Sequence, residues 1–131
     1  TSRDIPLRKF ELLLSWKRTR EAQAAGAVLV QRMDDSAEEL NNFAWGLLTE
    51  EEKKGKFNPL ALLAAKRADE LTEGKSWHII DTHALARFEM GEVAEAIRLE
   101  QKAISLAKAQ KVPDHAVRSL EEALARFRKG K

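Results

Sequence analysis

The chain has 131 residues, of which 44% are hydrophobic and 34% are charged. This composition excludes a disordered chain and predicts one folded, well-solvated domain. The formal net charge of +2 is too small to indicate a nucleic-acid-binding protein, and the clusters of basic residues are interrupted by apolar and acidic ones. The absence of cysteine excludes disulfides, thiol catalysis and thiolate metal sites, although it fits both reducing and oxidising compartments.

The first third of the chain carries helical spacing of apolar residues. Residues 5–33 fit either one long helix or two helices with a break near Thr19. Ser36 and Glu39 then form an S-x-x-E capping box, which predicts a new helix after residue 35. The N-terminal helical segment is therefore expected to span residues 1–35.

The middle of the chain is divided by turn signals. Residues 49–59 predict a loop that ends in Asn58 as a helix cap, followed by Pro59 as the first helical residue. Ser76 can cap the next helix, and Gly91 predicts a left-handed stop at its end.

Helical spacing continues to the end of the chain. It predicts one helix over 92–109 and a last helix over 114–128, after the turn that contains Pro113. No useful stretch alternates with a period of two, so the sequence predicts an all-α fold.

Two segments of the chain resemble each other when they are shifted. A shift of 35 residues places "AEAIRLEQKAISLA" over "LALLAAKRADELT", so that Ala96 meets Ala61 and Ala103 meets Ala68. A shift of 40 residues places the preceding helices in register. The sequence thus predicts two helical hairpins, over 36–75 with a long loop and over 76–110, followed by a capping helix and basic tail over 111–131. The alanines are expected to let paired helices approach closely.

The stretch "IIDTHALARFEMGEVAEAIRLEQKAISLA" resembles a tetratricopeptide repeat, with a Gly-acidic turn and two alanines seven residues apart. It departs from that pattern at His83 and Arg87, and at Glu100, where an aromatic residue is usual. The resemblance implies a right-handed α-α superhelix of hairpins. Residues 36–107 are also similar to helical segments that follow thioredoxin-like domains in some bacterial proteins.

In tetratricopeptide folds the first helix of each hairpin lines a concave groove that binds peptides. The resemblance implies that this groove holds an extended peptide or a partner helix. No lysine occupies the implied positions, so a clamp for a chaperone's terminal carboxylate is not expected, and neutral or basic ligands are favoured. In the alternative arrangement, the N-terminal helices fill the groove and make Trp45 a core residue. The implied groove residues are Glu38, Asn41, Trp45, Leu48, His78, Asp81, Leu85 and Phe88.

Residues that could support catalysis or metal binding do not converge. On a helix, His78 and Asp81 lie about 60° apart and predict a local hydrogen bond, whereas His83 lies about 140° from His78. The zinc motif H-E-x-x-H, a nucleophile elbow and a glycine-rich phosphate loop are all absent from the sequence. The sequence predicts no enzyme, metal or cofactor. No apolar run approaches the roughly 20 residues of a membrane span.

The functional prediction is a non-catalytic protein–protein interaction module. Two alternatives remain open at this point. The chain could be an accessory domain of a thioredoxin-like redox protein, which a cysteine-containing region elsewhere in the polypeptide would favour. It could also be a structural homodimerisation domain, which light scattering would test.

Overall fold

The computed structural model describes residues 4–130, and within that range the fold is all-α with seven helices and no strand. Hydrophobic residues at helical spacing supply the buried face of each helix, as the sequence predicted. The helices are α1 (Asp4–Ser15), α2 (Thr19–Arg32), α3 (Ala37–Thr49), α4 (Asn58–Leu71), α5 (Trp77–Glu89), α6 (Val93–Ala109) and α7 (Asp114–Lys129).

The N-terminal segment forms two helices rather than one. The chain breaks between α1 and α2 at residues 16–18, where Lys17 adopts a left-handed conformation with φ 58°. Phe10 of α1 is buried and packs against the rings of Phe43 and Phe57, at centroid distances of 5.4 Å and 5.6 Å. The N-terminal segment is thereby fixed to α3 and to the loop that precedes α4.

Most helix boundaries follow the local signals, although Ser76 at the start of α5 forms no side-chain capping hydrogen bond. The Ser36 hydroxyl accepts a hydrogen bond from the Glu39 N–H (3.3 Å) at the start of α3, which confirms that contact of the capping box. Gly91 has φ +84°, which confirms the left-handed turn after α5. Asn58, however, lies inside α4 and does not cap it, since its side-chain amide donates to the Glu89 carbonyl (3.4 Å).

Each helix packs mainly against its neighbours in the sequence, with the closest associations within the pairs α1–α2, α3–α4 and α5–α6. The buried residues form two clusters, one dominated by α1–α4 and the other by α5–α7, and α5 contributes to both. The alanines of the shifted segments lie in these clusters with no exposed surface, as expected for close helix pairing. They are Ala44, Ala61, Ala68, Ala84, Ala96 and Ala103.

Candidate functional site

A cavity of about 190 Å³ lies where α3, α5 and α7 meet. Three of the eight residues implied as groove residues are brought together in its lining, each from a first helix of a predicted hairpin. The remaining lining comes from the C-terminal helix, which sequence reasoning treated as a cap. The lining consists of Trp45, Asp81, Leu85, Ser119, Glu122, Ala123, Arg126 and Phe127.

Trp45 is the exposed large hydrophobic residue in the lining of this cavity. Its side chain is 43% exposed, although it lies on a helix whose other face is buried. The N-terminal helices therefore do not make Trp45 a core residue. Leu85 lies beside it on α5 and is half-buried. An indole and an isobutyl group at the mouth of one cavity provide a surface on which apolar atoms of a ligand can pack.

Three of the implied groove residues lie inside the core instead. Asn41, Leu48 and Phe88 are 7%, 5% and 6% exposed. Phe88 stacks on Phe127 of α7 with a centroid distance of 4.7 Å, so that the C-terminal helix covers it. In this structure these three side chains do not present surface to a ligand.

Glu38 and His78 form a separate contact between α3 and α5. The Nε2 atom of His78 lies 2.8 Å from Oε1 of Glu38, and its Nδ1 atom lies 3.1 Å from the Ser76 hydroxyl. The predicted hydrogen bond between His78 and Asp81 is therefore wrong, because both ring nitrogens are engaged elsewhere. Glu38 and His78 are exposed and do not line the cavity.

Glu100 is a residue that sequence reasoning did not include in the site. It lies on α6 with no exposed surface. Its carboxyl group is next to the carboxyl group of Asp81 and to the guanidinium of Arg126. Burial, followed by hydrogen bonding to Asp81 and its charge, raises the pKa of Glu100 to about 10, while the positive charge of Arg126 opposes this shift. The available signal was an acidic residue in the alanine-rich buried stripe of α6, where the resemblance led us to expect an aromatic residue.

Protonation resolves the hydrogen bonding between the two acids. Neither carboxyl oxygen of Glu100 has a donor when both acids are ionised. A protonated Glu100 donates its O–H to the Asp81 carboxylate, which leaves the negative charge of the pair on Asp81. Asp81 is half-buried and reaches the cavity, so this charge is placed where a ligand can contact it.

A second polar cluster explains two other departures from the repeat pattern. His83 is buried, with Nδ1 2.8 Å from Asp69, and Arg87 Nε donates to its Nε2 atom (3.1 Å). Arg87 also donates to Glu92, which precedes α6 (3.0 Å). Because Nε2 accepts, Nδ1 carries the proton and donates to Asp69, and the imidazole is neutral. Both nitrogens are occupied, so this cluster connects α4, α5 and the start of α6 and leaves no free base.

Within the described part of the chain, no group of three or more His, Asp or Glu side chains could hold a metal ion. No helix in that part is both long enough and apolar enough to cross a membrane. No protein-family model matches the chain, and no curated protein matches it. The functional interpretation therefore depends on the cavity and its residues.

Proposed function

We propose that this chain is a non-catalytic protein-interaction module that binds an extended peptide segment or a helix of a partner in the groove between α3, α5 and α7. The observation that carries the proposal is the exposed indole of Trp45 beside Leu85 and Asp81 in one cavity. Tryptophan in a cleft is a frequent anchor of protein–protein binding, because it buries a large area with little loss of side-chain entropy.

The helix pairing supports a repeat architecture for this module. In the proposed arrangement, α3–α4 and α5–α6 are tetratricopeptide-like hairpins of a right-handed superhelix, with α1–α2 before them and α7 as the cap. The close association within each pair and the fully buried alanines are what such hairpins require. The first helices then share one face with α7, and this face carries the cavity.

The size of the cavity favours a side chain as its occupant. Pockets for small-molecule ligands and cofactors usually measure about 300–1,000 Å³. A cavity of about 190 Å³ is below that range and fits one side chain of a polypeptide. The remainder of a bound segment would lie along the surface between the first helices.

Replacing Trp45 tests this function. Random peptides about ten residues long, which span about 30 Å when extended, would be selected from a phage library for binding to the wild-type domain. We expect Trp45→Ala to weaken binding of the selected peptides at least about tenfold, because it removes the apolar anchor. Affinity would be measured by isothermal titration calorimetry.

The matched control is Trp16→Ala. Trp16 is 56% exposed, on the N-terminal segment, and does not line the cavity. Its replacement should leave peptide affinity unchanged, and both variants should keep their helical circular dichroism. If no peptide is enriched, or if the selected peptides bind Trp45→Ala as tightly as wild type, the proposal is wrong.

A further inference from the structure

The lining of the cavity includes the half-buried carboxylate of Asp81. Asp81 forms no ion pair with any lysine, arginine or histidine in the described range of the chain. Arg126 lines the same cavity, but it is exposed and lies over the Phe127 ring, with its guanidinium carbon 5.6 Å from the ring centroid. The Asp81 charge is thus left without a direct counter-ion.

The buried carboxyl group of Glu100 lies next to this charge. Glu100 is 0% exposed and, when protonated, donates its O–H to Asp81 without neutralising the Asp81 charge. Glu100 interacts electrostatically with Asp81 and Arg126, and both of these residues line the cavity. A half-buried carboxylate without a counter-ion is poorly solvated, so a ligand that brings a positive charge to the cavity would be stabilised here.

From this arrangement we infer that the cavity receives a lysine or arginine side chain of a protein partner, with Asp81 as its counter-ion. The inference rests on the proposed function, since it presumes that a polypeptide lies in the groove. The aliphatic part of the basic side chain would pack on Leu85 and Trp45, and its charged end would donate to the Asp81 carboxylate. The indole face adds a cation–π attraction.

The charges around the cavity favour a cation over an anion. Asp81 and Glu122 contribute two carboxylates to the lining, and Arg126 contributes one guanidinium. An acidic side chain inserted beside Asp81 would place two like charges in contact, in a partly buried site where solvent screens them poorly. A basic side chain meets an unpaired carboxylate instead.

A double-mutant cycle tests this inference with the peptides selected above. Each basic residue of a selected peptide is replaced by norleucine, which keeps the aliphatic chain and removes the charge. At one position we expect norleucine to weaken binding to the wild-type domain about tenfold, and to weaken binding to Asp81→Asn less than about twofold. Glu121→Gln is the control, because Glu121 is exposed on α7 outside the cavity, and it should bind both peptides like wild type.

Failure of this inference is distinguishable from failure of the proposed function. If the selected peptides depend on Trp45, but norleucine weakens their binding equally to the wild-type domain and to Asp81→Asn, the inferred basic side chain is wrong. The proposed groove would still stand. Peptides that are indifferent to Trp45→Ala would overturn both. If Asp81→Asn loses its helical circular dichroism, the inference is tested with the wild-type domain alone, by the salt dependence of binding. Binding of the basic peptide must then weaken several-fold between about 0.05 M and about 0.5 M salt, and binding of its norleucine form must not.

Discussion

Glu100→Gln should unfold at a higher temperature than the wild-type protein at pH 8, and the difference should shrink toward pH 4. The pKa of Glu100 is about 10 in the folded protein, against an ordinary value of 4.5. Between these values the folded protein holds a proton that the unfolded chain releases, so the free energy of unfolding falls as pH rises. The slope approaches the value for one bound proton, on the order of 1 kcal/mol for each pH unit. Glutamine has no such proton, and its amide can still donate to Asp81.

Urea unfolding followed by circular dichroism between pH 5 and pH 9 would measure this effect. Glu122→Gln is the matched control, because it removes an acidic residue that lines the same cavity but is exposed on α7. Its free energy of unfolding should follow the pH dependence of the wild-type protein. If the curves for Glu100→Gln and wild type run parallel from pH 5 to pH 9, Glu100 does not hold the proton that its burial requires.

Local sequence signals were sufficient for most of the helix boundaries. The Ser36 cap and the Gly91 turn each depend on residues that are close in the chain, so their geometry could be predicted from the sequence. Asn58 differs, because its amide reaches the Glu89 carbonyl on another helix. A residue that could cap its own helix can instead form a hydrogen bond to another helix, and no local sequence pattern predicts such a contact.

The resemblance to a tetratricopeptide repeat implied one face of the site but not the depth of each residue. The resemblance implied one groove that holds Trp45, Asp81, Leu85 and Phe88, and the first three of these residues line the cavity. Phe88 is buried because α7 stacks Phe127 on it. The angle at which the last helix packs depends on the whole packing surface. The hydrophobic periodicity of that helix does not predict this angle.

The acid pair was beyond the reach of sequence reasoning for the same reason. The spacing of α6 places Glu100 in a buried stripe, yet only the folded arrangement shows that its carboxyl group meets Asp81 and Arg126. These residues come from three consecutive helices, and their contact depends on how those helices pack. A charged residue in an otherwise small and apolar stripe is nevertheless a signal that a buried polar partner is present.

Phe127→Ala should weaken both the stability of the protein and peptide binding in the groove, although Phe127 lies in the last turns of α7. Phe127 is 0% exposed and stacks on Phe88, so its truncation leaves a cavity in the cluster formed by α5–α7. Loss of a buried phenylalanine ring costs about 3–5 kcal/mol of unfolding free energy. Because α7 also supplies one wall of the cavity, including Arg126, we expect peptide binding to fall together with stability.

Hydrogen exchange would locate this loss. Amide protection should fall most in α7 of Phe127→Ala, while α3 and α4 keep theirs, because their cluster does not include Phe127. Phe10→Ala is the matched control: Phe10 is 1% exposed and packs in the other cluster, so a similar loss of stability should appear in α1 and α2 and leave peptide affinity intact. Equal peptide binding by Phe127→Ala and wild type would show that α7 is not a wall of the binding groove, and the occupied surface would then have to lie on α3 and α5 alone.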